Sequence, residues 1–437
     1  MPLDMRSVLT FIMAGGRGER LYPLTKDRAK PAVPFGGIYR IIDFTLSNCI
    51  NSGIRKIHVL TQYKSVSLHN HLRKGWHIFD SELGEYIDVI PAHQGLSDHW
   101  YLGTADAIYQ NIDAIEQEHS EYVLILAGDH IYKMNYARML QWHREREADL
   151  TVAVIEMERS RAQGLGVAEV DDRYRVIGFE EKPAVPRALS HDATRCYVSM
   201  GIYLFNRSVV EQVLRADAAR STSHDFGRDI IPRMLADHRV CAYNFKDENL
   251  QTARYWRDIG TLNAYYEANM DLVQVTPSLN LYDRRWPIRT YHEQVPPAKT
   301  VFAQEEGGRV GVAVDSLVAN GCIISGGRVE RSILSTNVRI NSYSEVQDAV
   351  LMEGVDVGRY ARIRRAIVDK DVKIPRHTTI GYDAEQDRRR FHVTASGIVV
   401  VAKGTLLDEA ATPPAIAAQR PASTATALDG ARIPGVA

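Results

Sequence analysis

The sequence predicts an α/β domain built on a mostly parallel sheet, followed by a parallel β-helix. Three observations carry that reading. Between residues 8 and 270, short apolar runs alternate with stretches of helical periodicity. The runs are nearly continuous in aliphatic residues, the pattern of strands covered on both faces by helices. Beyond residue 311 the texture changes, and small aliphatics return every six residues with Gly, Asn and Asp between them. That is the spacing of a hexapeptide β-helix.

In order, strands are expected at residues 8–13, 56–61, 122–127, 151–156, 166–170 and 200–205, with helices such as 44–52 and 104–117 between them. The first domain then covers 1–275. Residues 276–310 hold Pro277, Pro287, Pro296 and Pro297 without clear periodicity and read as a linker. In the β-helix, assigned to 311–408, the inward candidates are Leu317, Ile323 and Val329, then Ile340 and Val346, then Val355, Ala361 and Ile367. Val357 and Ile363 form a second register. A sandwich of short strands is the alternative, and the six-residue register in two frames favours the helix. Residues 409–437, rich in Ala, Pro, Ser and Thr, read as a disordered tail.

A chain of 437 residues exceeds one ordinary core. A formal net charge of -1 gives no bulk electrostatic case for nucleic acid or an anionic membrane. Cys49, Cys196, Cys241 and Cys322 are far apart and form no CxxC, which argues against a zinc site or a disulfide framework. The apolar run 8–14 is too short to span a bilayer, and no signal-peptide pattern is evident. A cytoplasmic enzyme is the expectation.

The chemistry starts where the first apolar run ends. Gly15, Gly16 and Gly18 fall within four residues, with Arg17 and Arg20 in the same loop. A strand running into a glycine-rich turn brings backbone N–H groups close to a phosphate, and arginines supply forked donors for its oxygens. The loop reads as a triphosphate cradle. It is no dinucleotide fingerprint, because Leu21 stands where the third glycine belongs, and it lacks the Gly-Lys-Ser/Thr of a P-loop. A turn that merely joins strand to helix is the alternative, and the arginines weigh against it.

Asp129 follows the run 123–127 and Gly128, at the rim where such sheets bind ligands. Asp258 is a second carboxylate candidate. Either could hold a hard divalent cation or simply cap a helix or turn. Lys30-Pro31 and Lys182-Pro183 set compact charges at proline-fixed turns. They suggest two phosphorylated ligands, against the alternative of ordinary surface lysines. Gly103-Thr104-Ala105 opens a helix with small residues, leaving room for a base or ribose, or else is a plain helix start capped by Thr104. Trp100 and Tyr101 just before it are core or ligand wall. His58, His69, His71, His77, His93 and His99 show no metal-ligand spacing and read as structural or surface residues.

Together these motifs resemble the bacterial glucose-1-phosphate adenylyltransferase family, the ADP-glucose pyrophosphorylases of glycogen synthesis. The resembling stretches include residues 14–21, Arg28-Ala29-Lys30-Pro31-Ala32-Val33, Arg40-Ile41-Ile42-Asp43-Phe44, Thr61-Gln62-Tyr63, 126–133, Glu181-Lys182-Pro183, Ser199-Met200-Gly201-Ile202-Tyr203 and 255–261. They stand in the family's order between residues 8 and about 400. The resemblance implies that ATP and α-D-glucose 1-phosphate react to give ADP-glucose and pyrophosphate. It implies a Rossmann-like nucleotidyltransferase domain with a mixed, mostly parallel sheet, then a left-handed parallel β-helix, assembled as a homotetramer. It implies that Asp129 and Asp258 hold Mg²⁺, and that Arg20 and Lys30 attend the ATP phosphates. Gly15, Gly16, Gly18, Gln62, Gly103, Thr104 and Ala105 would face the nucleotide. Tyr101, Gly166, Glu181, Lys182 and Ser199 match the glucose 1-phosphate contacts. Arg28, Arg40 and Lys370 would serve anionic metabolite effectors.

The chain departs from the fructose-bisphosphate-activated, AMP-inhibited members. Asp27 stands where they carry a basic residue, Pro34 where they carry histidine, and Gln117 near an arginine. A carboxylate repels a bisphosphate, so an effector site of different selectivity is expected. The competing readings are a sugar-phosphate nucleotidyltransferase using UTP, dTTP or GTP, and a catalytically silent regulatory subunit. The presence of Arg20, Lys30, Asp129, Lys182 and Asp258 argues against the silent subunit.

Overall fold

Val8–Met13, buried along all but its last residue, lies inside a nine-stranded sheet. The computed structural model describes residues 4–92, 100–246, 254–303 and 309–408. The expected tail at 409–437, and His93 and His99, lie outside the described residues. Lys56–Thr61 and Tyr122–Ala127 flank the first strand in parallel, and Tyr86–Pro91 extends the sheet in the same direction. An unbroken apolar run suits this place because both of its faces are covered. Val8 and Ile12 pack into one cluster with Leu46, and Leu9 and Phe11 into another with Ile108.

The twelve-residue strand Arg195–Asn206 runs antiparallel to Tyr122–Ala127 and makes the sheet mixed. It also pairs antiparallel with Leu150–Glu158 and Gly166–Val170. Val176–Glu181 and Val240–Asn244 complete the sheet. The strands expected at 151–156 and 200–205 are inner parts of longer ones, while Tyr86–Pro91 and Val240–Asn244 go beyond the expectation. The helix expected at 104–117 is two helices, Thr104–Tyr109 and Ile112–Gln117. Asn111 sits at the break. Its Nδ2 donates to the Ala107 carbonyl at 2.8 Å and to the Tyr101 hydroxyl at 3.0 Å, so a side chain takes an acceptor that helical backbone would use.

The C-terminal domain is a left-handed parallel β-helix whose three sides are three ladders of buried aliphatics. One runs Ile324, Ile340, Val357, Ile374. The second runs Val329, Val346, Ile363, Ile380, and the third Ile333, Val350, Ile367, Val400. Val346, Ile363 and Ile380 lie seventeen residues apart, one short of three hexapeptides, so the six-residue rhythm slips once per coil. The expected inward residues beyond the first coil are buried, but Ile367 faces the first domain and its neighbour Val368 fills the coil interior instead. In the first coil Ile323 is half-buried and Cys322 and Ile324 fill the core instead. Leu317 is also half-buried.

The coil begins earlier than expected, because Lys299–Val301 already pairs in parallel with Ile323–Ser325. The segment before it is fastened to the helix Ile41–Asn51. Trp286 Nε1 donates to Asn48 Oδ1 at 2.9 Å, and Asn51 Nδ2 donates to the Pro287 carbonyl at 2.9 Å. The two domains share a core in which Phe35, Phe44 and Tyr265 join Ile333, Val350, Ile367 and Val400. Arg28 Nη2 crosses that junction and donates to both oxygens of Asp369, at 2.9 and 3.0 Å. No helix among the described residues is long and apolar enough to cross a membrane.

Candidate active site

The glycine loop leaves the carboxyl end of Val8–Met13, where the Ala14 N–H donates to the Leu60 carbonyl at 2.8 Å. Gly18 has φ +64°, a conformation that favours glycine. A Cβ there would lie 3.0 Å from Thr25 and 3.2 Å from the stem of Lys30. The loop is therefore folded down over Lys30. Loop residues, Lys30, Asp129 and Gly260 line a cavity of about 510 Å³.

At its base the charges converge. Lys30 is only 8% exposed, and its Nζ donates to Asp129 Oδ2 at 2.7 Å and to Asp258 Oδ1 at 3.3 Å. Asp129 follows the strand Tyr122–Ala127, and Asp258 ends the short strand Trp256–Asp258. That strand pairs antiparallel with His130–Tyr132, so Asp258 lies directly opposite His130. Burial would raise the Asp129 carboxyl, but the Lys30 ammonium and His130 outweigh it and hold it at about 2. Burial would likewise lower Lys30, and the two carboxylates reverse this and raise it above the ordinary lysine value. Arg20 closes the cavity from the other side. A Cβ on Gly260 would lie 2.9 Å from Asp258 Oδ2 and 3.2 Å from Arg20 Nη2, so this glycine leaves space for both.

Two carboxylates already drawn to one positive charge form a donor set that suits a hard divalent cation. Ligand atoms of Asp129, His130 and Asp258 all lie within 4.8 Å of one another. His130 carries no metal-ligand spacing in the sequence. Its only signal was adjacency to Asp129.

Gln62 packs against Gly15, whose Cβ would approach it to 3.1 Å, and its buried Nε2 has no partner. A polar atom left unpaired beside the glycine loop suits a ligand that would engage it. Trp100 stacks on Tyr63 at 6.1 Å, and Arg17 sits 5.1 Å from the Tyr63 ring centre. The 103–105 turn packs against residues 223–225. A Cβ on Gly103 would strike the carbonyl oxygens of Ser223 and His224. Ala105 N–H donates to the His224 carbonyl at 2.8 Å, and Thr104 Oγ1 donates to Asp225 Oδ2 at 3.0 Å. Packing against the 223–225 backbone demands this glycine.

Elsewhere in the sheet, Gly166 stands opposite Glu181 in an antiparallel pair. Lys182 has φ +55° and holds its ammonium 3.3 Å from Glu181, with its side chain largely exposed. Ser199 sits where the pairing register shifts between Ser199 and Tyr203. Such a bulge re-aims a side chain, and the Gly201 N–H donates to Ser199 Oγ at 3.3 Å. Tyr101 accepts from Asn111 at its hydroxyl. Gly227 borders Glu181, and Asp225 acts electrostatically on Tyr203; both lie in the stretch 224–231, another that resembles the family.

A second cleft of about 470 Å³ lies between the domains. Asp27, Pro34, Arg40, Lys74, Glu293, Glu353 and Lys370 line it. Lys370 is ion-paired with Glu353, and burial together with Arg40 lowers it from the ordinary lysine value. Arg28 is not on this wall, because its guanidinium is spent on Asp369 in the buried junction. Gln117, at the end of Ile112–Gln117, does not line it either.

Residues 9–275 match the nucleotidyl transferase family, and residues 296–401 match the GlmU-like C-terminal hexapeptide family. The chain is 54% identical over 408 residues to a glucose-1-phosphate adenylyltransferase of Koribacter versatilis, covering 93% of this chain and 97% of that one. It is 53% identical over 407 residues to a protein of the same name from Rhodopirellula baltica, with 92% and 91% covered. A third, from Methylococcus capsulatus, is 50% identical over 397 residues, with 91% and 93% covered.

Proposed function

Because the chain belongs to the glucose-1-phosphate adenylyltransferases of the nucleotidyl transferase family, we propose that it transfers AMP from ATP to α-D-glucose 1-phosphate. The products are ADP-glucose and pyrophosphate. The observation that carries this reading is the meeting of Lys30, Asp129 and Asp258 under a glycine loop at the carboxyl ends of the strands.

The nucleophile is a phosphate monoester oxygen, whose second pKa is about 6. It is already ionised at neutral pH, and no side chain has to remove a proton. The protein must bring two anions together and hold attack in line on the α-phosphorus. Gly15, Gly16 and Gly18 offer backbone N–H groups to the triphosphate, and Arg20 and Lys30 neutralise it. Gln62 faces the adenine nucleotide. Glu181, Lys182, Ser199, Tyr101 and Gly166 hold glucose 1-phosphate. Gly103, Thr104 and Ala105 also face the nucleotide, their turn held by the Asp225 carboxylate and the His224 carbonyl. Asp129 and Asp258 would hold Mg²⁺, whose charge would favour departure of the pyrophosphate. A panel of nucleoside triphosphates with glucose 1-phosphate, read by pyrophosphate release, tests the reading. ATP is expected to be preferred, and equal turnover with UTP, dTTP or GTP would replace it with the second reading.

The interdomain cleft is the proposed effector site, with Arg40 and Lys370 as its anion-binding groups. Asp27, Glu293 and Glu353 offset Arg40, Lys74 and Lys370 there, which disfavours a bisphosphate. Strong activation by fructose 1,6-bisphosphate in initial-rate assays would count against this selectivity. Assembly as a homotetramer in the cytoplasm completes the proposal, with the β-helix as scaffold. Light scattering of the purified protein checks the oligomer.

A further inference from the structure

His130 is 9% exposed, and its Nδ1 is buried without a partner. Its Nε2 lies 3.5 Å from Asp129 Oδ1 and 3.7 Å from Asp258 Oδ1, too long for firm hydrogen bonds. The ring is nevertheless held firmly. Trp256 meets it edge to face at 5.0 Å, and a Cβ on Gly201, absent in fact, would lie 3.6 Å from its Cε1. The two-stranded ribbon sets it directly opposite Asp258. A buried imidazole fixed in place thus turns its Nε2 towards both carboxylates without a firm hydrogen bond to either.

We propose that His130 Nε2 is a third ligand of the catalytic cation, beside Asp129 and Asp258. Two donors each about 2.1 Å from one ion are roughly 3.0 Å apart at right angles and roughly 4.2 Å apart in line. The separations of 3.5 and 3.7 Å fall inside that span. An imidazole nitrogen shifts selectivity towards Mn²⁺ and Co²⁺, which take nitrogen ligands more readily than Mg²⁺ does. The site then has one nitrogen and two oxygen donors from the protein. The inference rests on the reading that Asp129 and Asp258 hold the cation.

The test uses the full-length protein with Mn²⁺ and no nucleotide. Pulsed electron paramagnetic resonance of the wild type should show the ¹⁴N coupling of a directly bound imidazole. In titrations of free Mn²⁺, His130→Asn should abolish that coupling and weaken Mn²⁺ at least about tenfold, the loss typical even of residues that only orient a ligand. Mg²⁺, measured by competition, should weaken less. Asp129→Asn should weaken both ions. Mn²⁺ binding that depends on Asp129 but shows no nitrogen coupling overturns the inference and leaves the cation reading standing. Equal weakening of Mn²⁺ and Mg²⁺ in His130→Asn also overturns it. Mn²⁺ affinity unchanged by Asp129→Asn removes the cation reading itself. The wild-type spectrum keeps the test sound if a variant fails to fold.

Discussion

Arg28 and Lys30 stand two residues apart in one turn, and each is buried against carboxylate. Arg28 has a single acidic partner, Asp369 of the β-helix, and the two are 4% and 1% exposed. Lys30 has two, Asp129 and Asp258, whose side chains keep 32% and 20% exposure. The first pair saturates both charges and leaves nothing to offer a ligand. In the second, one ammonium faces two carboxylates, so unmatched negative charge opens onto a cavity. Burial alone does not separate structural from catalytic charge. The ratio of partners and their access to solvent do. The same short segment therefore anchors the β-helix at Arg28 and carries Lys30 into the pair of carboxylates.

The comparison breaks most visibly at the open site. Asp129→Asn should lower kcat about 100- to 1,000-fold at saturating Mg²⁺, the cost typical of removing a charge-stabilising group, with Tm within a few degrees of wild type. Near-normal kcat would remove Asp129 from the machinery. The closed pair should instead report in stability. Arg28→Met strands a buried carboxylate and should cost about 3–5 kcal/mol in urea unfolding, most of it recovered by adding Asp369→Leu. A smaller effect is expected at Lys182. Its ammonium is largely exposed, so Lys182→Ala should raise KM for glucose 1-phosphate about tenfold through one lost charge-assisted contact. If KM for ATP moved instead, Lys182 would belong to the other pocket. The smallest effect concerns control. Asp27→Lys should strengthen the response to anionic metabolites a few-fold without changing the basal rate, because one repulsive charge in a solvated cleft is worth about 1 kcal/mol or less.

The sequence made the sheet legible because strands such as Val8–Met13 and Tyr122–Ala127 are buried on both faces and read as unbroken apolar runs. The β-helix showed for a similar reason, its ladders being aliphatic on every coil. What stayed hidden depended on distant partners. Asn111 breaks a helix through its side chain, which no periodicity reveals. Arg28 looked like an anion-binding arginine, and only folding brings it to Asp369, 341 residues away. Gly103 looked open to a ligand, yet the Ser223 and His224 carbonyls require it to be glycine. His130 showed no spacing of its own, because its opposition to Asp258 arises across a two-stranded ribbon. One cleft gathers Asp27 and Pro34, two departures that the sequence showed only as isolated positions, beside Arg40 and Lys370, while Gln117 does not line it.

The central claim is that Arg28 serves the fold and Lys30 the reaction. Measuring kcat and Tm on Arg28→Met and Lys30→Met side by side tests it most directly. Arg28→Met should show a large fall in Tm with kcat per folded molecule retained. Lys30→Met should show a collapse of kcat with a much smaller fall in Tm. The reverse pattern, or equal effects on both quantities in both variants, would contradict it.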